Sequence, residues 1–443
     1  MSAAEARVER LSPIDTAWLH MDAPTNLMVV GSICFFDDPL SHADLLTALR
    51  RRLLVHSRFT QRIGPSLLGP PRWVPDRDFD LPAHVHRIAL PRPGDDAELR
   101  TLVSDLMSQP LDMHRPLWDC HLVEGYGAGS ALITRIHHAI GDGNALVRVL
   151  VGLTAEDREA SLRVAPAPVA KPRRDGPGLV LPDPREAPRL LRDAGLRLYA
   201  LARVVSLWPD PSTPLRGPLT RTKRVAWTQP FPLEQLRPLR RATGCTVNDI
   251  VVAALAGALR RNLIRRRAGV PDAIRAIVPV DLRRASQSSE LGNSFGMVFL
   301  PMPVGLADRL ERLQAVHEGM RAERQSALPA VAMEVLGVAG LVPRPVERVL
   351  MRFFGSKGTA VVTNVRGPDR ELYLAGRVLR RVTFFVPQSA ELGLGVSFFS
   401  YSGQIETGVI ADSELVPDPV RLTREISEEL RRLVRAAPAG ESG

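Results

Sequence analysis

Cysteine is scarce: Cys34, Cys120 and Cys245 are the only three in 443 residues, far apart and odd in number. They form neither a disulfide framework nor a metal-ligand spacing, and are expected to be small core residues. Aromatic residues are also few, at 5%. With so little to stack on bases and no nucleic-acid motif, the net charge of +10 is not read as a nucleic-acid footprint. Lysine is nearly missing: Lys171, Lys223 and Lys357 stand alone, so arginine carries the positive charge. A GC-rich genome produces such an Arg-, Ala-, Pro- and Leu-rich chain whatever its function, although a basic surface also suits anionic lipid or phosphorylated substrates. No window approaches the ~18 consecutive apolar residues of a membrane-spanning helix. The opening MSAAEARVER has no apolar core or cleavage site, so no signal peptide is visible and a cytoplasmic protein is expected.

What is present is enough for a sizeable core, with 45% apolar and 24% charged residues. The length exceeds that of one ordinary domain. In the first part, Val29–Phe36, His84–Leu90, Leu117–Val123 and Ala131–His137 read as strands. Ala43–Leu54, with Ser41 as N-cap, and Ala97–Met107 read as helices, and another begins after Gly143. Prolines crowd residues 165–218, a crossing segment that holds a basic amphipathic stretch, Ala187–Leu207. Such a stretch can lie on a membrane or pack on its own domains. Beyond it come a strand at Lys223–Trp227, a helix near Leu233–Arg241, and a helix from Thr246 whose Thr246 and Asp249 resemble a capping box. Strands follow at Ile274–Val280 and Met297–Val304, then a helical stretch Leu328–Phe354 broken at Pro343 and Pro345. Thr359–Asn364, Val378–Val386, Leu392–Phe399 and Gln404–Ile410 read as strands, and Val420–Arg435 as a closing helix. The expected fold class is α/β, with domains at 1–164 and 219–443 joined by 165–218.

The chemistry-bearing pattern is His137-His138-x-x-x-Asp142-Gly143, at a strand end before a turn into a helix. Histidine, with a reference pKa of ~6.5, is the natural general base for a hydroxyl. Gly141 and Gly143 allow a tight turn around it, and Asp142 can lock the loop by pairing with an arginine. Three other readings compete. A metal site lacks a third His or Cys at ligand spacing, and neighbours on a strand face opposite ways. A serine hydrolase would need a G-x-S-x-G elbow at a strand-to-helix turn; Gly292-Asn293-Ser294-Phe295-Gly296 has that spacing but leads into the Met297–Val304 strand rather than a helix. A purely structural histidine pair is the third.

The surroundings of the motif carry a resemblance. Leu11-Ser12-Pro13-Ile14-Asp15, Pro116-Leu117-Trp118, Asn248-Asp249-Ile250-Val251-Val252-Ala253, Pro279-Val280-Asp281-Leu282-Arg283, Gly292-Asn293 and Thr363-Asn364-Val365-Arg366-Gly367-Pro368 occur in order. With His137–Gly143 they make nearly the whole chain resemble the bacterial wax ester synthase/acyl-CoA:diacylglycerol acyltransferases, within the CoA-dependent acyltransferases that carry HHxxxDG. The resemblance implies two chloramphenicol-acetyltransferase-like domains with a tunnel at their interface. It implies His138 as the base, His137 as support of the loop, and Asp142 as a structural residue paired with Arg283. Oxyanion or substrate-binding candidates are Asn248, Asp249, Asn293, Thr363, Asn364 and Trp118; capping alone also explains Asn248 and Asp249, and Trp118 alone could be core. The chain departs from the family at Thr363, where serine is usual, and at Arg366, where proline is frequent.

The implied activity is transfer of a long-chain acyl group from acyl-CoA, a co-substrate with no bound cofactor, to diacylglycerol or a fatty alcohol, without an acyl-enzyme. Peripheral contact with a membrane or lipid droplet fits such substrates. The alternatives are an acyltransferase with a carrier-protein donor or a polyketide or glycolipid acceptor, and a non-catalytic lipid-droplet binding protein.

Overall fold

The computed structural model describes residues 8–437 except 65–69, 164–198, 200–201, 204, 282–290, 294, 325, 327 and 389. Arg283 and most of Ala187–Leu207, both given roles above, lie outside the described residues.

The first sheet grows from a hairpin. Trp118–Tyr126 and Gly129–His137 pair antiparallel, and Gly125 and Gly127 at the turn have φ of 77° and 56°, a backbone that favours glycine. The strands extend closer to the turn than the glycines suggested, leaving only residues 127 and 128 between them. Val29–Phe36, buried along its whole length, pairs with the second hairpin strand, and Val85–Ala89 adds in parallel to the first. The open edge of Val29–Phe36 is filled by Arg381–Phe385, from the other end of the chain.

That pairing changes one reading. Val378–Val386 was expected to form a single strand, and it splits at Arg380. Arg377–Leu379 turns back on Leu372–Leu374, while Arg381–Phe385 crosses to the first sheet. The Arg380 guanidinium bonds Asp37 at 2.6 Å and Glu371 at 2.7 Å, which holds the switch point. The Thr383 hydroxyl donates to buried Glu406 at 2.8 Å, tying the crossing strand to the second sheet as well.

The second sheet runs, edge to edge, Phe295–Met302, Ile274–Asp281, Ala360–Arg366, Leu394–Tyr401, Gln404–Asp412 and Lys223–Trp227, with short Phe231–Pro232 also on Gln404–Asp412. One side packs Val247–Arg265, buried almost continuously from Asp249 to Leu259, against Pro419–Arg435. Both bonds of the expected capping box form: Asp249 accepts from the Thr246 N–H at 2.8 Å, and the Asp249 N–H donates to the Thr246 hydroxyl at 3.3 Å. The stretch 328–354 forms two helices, Leu328–Ala339 and Arg344–Gly355. Pro345 sits in the first turn of the latter, where its missing N–H leaves no bond unmade. Helices Pro13–Met21 and Arg309–Arg324 and the strands Gln61–Gly64 and Arg72–Pro75 were not read from the sequence.

Among the described residues no single helix is long and apolar enough to cross a membrane. Leu233–Thr243 with Val247–Arg265 passes by length and composition as a pair, but bends by 97° and its second member is core.

Candidate active site

The strand Gly129–His137 delivers the paired histidines to the seam between the sheets. A bond from the His138 N–H to the Met28 carbonyl at 2.8 Å fixes the chain there. Asp142 then caps helix Gly143–Leu153, its Oδ1 accepting from the Ala145 N–H at 3.0 Å, while its own N–H reaches the Gly292 carbonyl at 3.3 Å. The loop is thus shaped by its own helix cap before any side-chain partner is added.

The two histidines have different surroundings. His137 is buried, and its Nδ1 accepts from the Ala139 N–H at 3.1 Å. Burial holds its pKa down at about 3, so it is neutral and serves the turn. His138 is also buried, but it lines a cavity of about 400 Å³. Trp18 stacks on its ring, with centroids 3.9 Å apart and planes 19° apart, and Phe295 lies 5.8 Å away. Its Nδ1 is buried and has no hydrogen-bond partner among the described residues.

Burial pushes the His138 pKa below 6.5, while the carboxylates of Asp142 and Asp15 push it back up. The net shift is downward, so the ring is neutral at pH 7 and able to accept a proton. If His138 acts as base in the free enzyme, kcat/KM falls with acid only as pH drops through a value below 6.5. A pH profile checks this; an acid limb centred above 6.5 contradicts it.

A set of contacts from distant segments holds the His138 backbone. Asn293 Nδ2 donates to the His138 carbonyl at 2.9 Å and to Asp15 Oδ1 at 2.8 Å. Arg58 Nη2 lies 3.3 Å from Asp15 Oδ2, and Arg58 Nη1 donates to the carbonyls of Ile140 at 3.0 Å and Ala139 at 3.3 Å. Sequence reasoning missed Trp18, Asp15 and Arg58. A signal existed for the first two: Ser12 caps, Pro13 opens and Asp15 completes the first turn of a helix. Residues 15 and 18 then fall on one face, one turn apart.

The cavity lies between the two sheets and mixes a polar side with an apolar one. Asn364 Nδ2 donates to Asn248 Oδ1 at 3.2 Å, and Thr363 lies beside them on the lining. Asn144 Nδ2 donates to Asp281 Oδ2 at 2.9 Å on the same lining. Two small apolar recesses adjoin it. One of about 50 Å³ shares Val30 and Phe384 and runs under Leu132 and Leu150. The other, about 30 Å³, shares Trp18, Ile277 and Met297 and runs under Leu336 and Met351.

The remaining sequence candidates do not line the main cavity. Asn293 stands behind His138 and does not line the cavity, its amide already engaged. Trp118 is buried, its Nε1–H donating to the Phe59 carbonyl at 2.9 Å and its ring stacking on His84, and it lines the recess that runs under Leu132 and Leu150. Asp249 is buried in its capping box and accepts from His317 Nδ1 at 2.8 Å. Cys245, Asp249 and His317 bring three possible ligand atoms within 4.8 Å of one another, a grouping that spacing along the chain did not announce. Arg366 is exposed and paired with Asp369 at 2.5 Å.

Residues 11–251 match the wax ester synthase/diacylglycerol acyltransferase catalytic domain, and residues 291–434 the WS/DGAT C-terminal domain. The chain is 31% identical to the probable diacylglycerol O-acyltransferase tgs1 of Mycobacterium tuberculosis, covering 92% of this chain and 91% of that one. Among solved structures, the wax ester synthase/diacylglycerol acyltransferase from Marinobacter aquaeolei matches with a TM-score of 0.73 and 27% identity, over 97% of this chain and 100% of that one. The first condensation domain of the calcium-dependent antibiotic synthetase shares the fold, with a TM-score of 0.63 at 19% identity over 98% of both chains.

Proposed function

The chain belongs to the wax ester synthase/diacylglycerol acyltransferase family, and from that premise we propose that it moves a long-chain acyl group from acyl-CoA to the hydroxyl of diacylglycerol or a fatty alcohol. The observation that carries this reading is His138, a neutral imidazole stacked on Trp18 at the wall of a cavity with apolar recesses. Such a site suits a greasy acyl chain and a hydroxyl needing a base.

In the proposed mechanism His138 Nε2 takes the hydroxyl proton as the alcohol oxygen attacks the thioester carbonyl. The tetrahedral oxyanion collapses, the carbon–sulfur bond breaks, and the imidazolium returns its proton to the CoA thiolate. No acyl-enzyme forms, and no metal or prosthetic group enters. His137, Gly141, Asp142 and Gly143 shape the loop, with Arg283 proposed as a further partner of Asp142. Asn293, Asp15 and Arg58 are positioning residues acting through the His138 backbone. Thr363 and the Asn248–Asn364 pair, on the polar wall, are the proposed contacts for the thioester oxygen or acceptor. Losing one oxyanion donor typically costs ~2.7–4 kcal/mol of barrier. The two domains, 1–164 and 219–443 joined by 165–218, would enclose a tunnel formed from the cavity and its recesses.

Purified protein given long-chain acyl-CoA is expected to form triacylglycerol from diacylglycerol or wax ester from hexadecanol, the product ratio reporting acceptor preference. Failure to esterify either alcohol, with the protein folded, removes the reading.

A further inference from the structure

Helix Arg344–Gly355 presents three distinct faces. Glu347, Met351 and Gly355 are buried, and Glu347, its only acid, accepts from His20 Nδ1 at 2.7 Å. Val346, Val349 and Phe353 recur at i, i+3 and i+7 and form a second, outward stripe, exposed by 55%, 68% and 37%. Leu341, just before the helix, and Val338, near the end of helix Leu328–Ala339, are exposed beside it. Arg344, Arg348 and Arg352 recur at i, i+4 and i+8 and make the third stripe. Of these, Arg352 bonds Glu391 at 2.9 Å, while Arg344 and Arg348 make no ion pair among the described residues.

The patch extends sideways to Trp208, exposed by 83%. Lys357 makes the join: its Nζ sits 4.3 Å over the Phe353 ring and donates to the carbonyl of Leu207. An apolar stripe beside arginines, with an exposed tryptophan at its margin and no outward acid on the helix, matches the chemistry of a negatively charged lipid surface. The inner sides of the same two helices roof the recess that shares Trp18, Ile277 and Met297 with the His138 cavity. One side of this layer therefore faces outward while the other borders the site.

We propose that this face, Val338, Leu341, Val346, Val349, Phe353 and Trp208 with Arg344 and Arg348, docks the protein on an anionic lipid surface and sets the neighbouring recess against the lipid that holds the acceptor. The docking surface goes beyond the acyltransfer reading and is tested without turnover; only the role of the recess rests on that reading. The apolar stripe supplies insertion, and each arginine brought to an anionic surface adds about fivefold in partition.

Flotation of the full chain with phosphatidylcholine vesicles, with and without about one third phosphatidylglycerol, tests this. Binding is expected to be stronger with the anionic lipid and weakened by salt. Val349→Glu with Phe353→Glu should lower partition at least tenfold with thermal unfolding unchanged, because both side chains are exposed. Arg344→Ala with Arg348→Ala should remove most of the preference for the anionic vesicles. Unchanged partition in the glutamate variant overturns the proposal, as does a wild-type chain that binds neither vesicle. A dimer that the glutamate variant splits, with vesicle binding intact, overturns it in favour of a second copy as occupant. A chain that floats as expected but esterifies no alcohol would sink the acyltransfer reading and leave the docking surface standing.

Discussion

Replacing His138 by alanine is expected to lower kcat by ~10²–10⁴-fold, with KM for acyl-CoA and the folded state little changed. The ring lines the cavity, and every contact that fixes its backbone, from Met28, Asn293 and the Arg58-held loop, survives its removal. Most of the loss should therefore fall on the proton-transfer step. His138→Gln keeps much of the volume and hydrogen-bonding capacity but cannot serve as the base, so it should be about as inactive as alanine. Steady-state kinetics with circular dichroism of both variants checks this. Glutamine activity within a few-fold of wild type would reduce His138 to a packing residue.

Trp18→Ala should produce the second large effect, on stability and chemistry together. The indole is buried between His138 and Phe295, and deleting such a side chain typically costs ~3–5 kcal/mol. The thermal midpoint should fall by several degrees. The same deletion lets water reach the His138 ring, whose low pKa is caused chiefly by burial. The acid limb of the kcat/KM profile should then move upward, towards the ordinary histidine value. Trp18→Phe should restore most of the stability and return the limb downward. A destabilised alanine variant with an unmoved acid limb would make Trp18 a core residue only.

Local chemistry made much of the fold legible. Thr246 and Asp249 announced a helix start that forms with both reciprocal bonds. The run Lys223–Trp227 is a strand with the bounds read from the sequence. The crossing of Arg381–Phe385 into the first sheet was not legible. Nothing within Val378–Val386 records that a distant edge, Val29–Phe36, lacks a neighbour. The site divides in the same way. His138 and Asp142 announced themselves because a strand end, two glycines and a short acidic residue sit together within seven residues. The groups that hold His138 do not, because Asn293 reaches its carbonyl across 155 residues. Asn293 was read as an oxyanion candidate from its motif alone; its amide faces Asp15 and the His138 main chain instead. Trp118 likewise stood in a recognisable motif, and it lines a side recess rather than the wall beside His138, since a motif records which residues recur and not which way they point.

Thiol release timed against ester formation, with and without alcohol, tests the account most directly. Long-chain acyl-CoA is mixed with enzyme at comparable concentration, free CoA thiol is followed, and the intact protein is weighed. The account predicts no thiol burst and no added acyl mass without alcohol, then thiol and ester in equal amounts once diacylglycerol or hexadecanol is supplied. A burst of thiol matching the enzyme concentration, with an acyl group on the protein before any alcohol is added, would contradict direct transfer by His138.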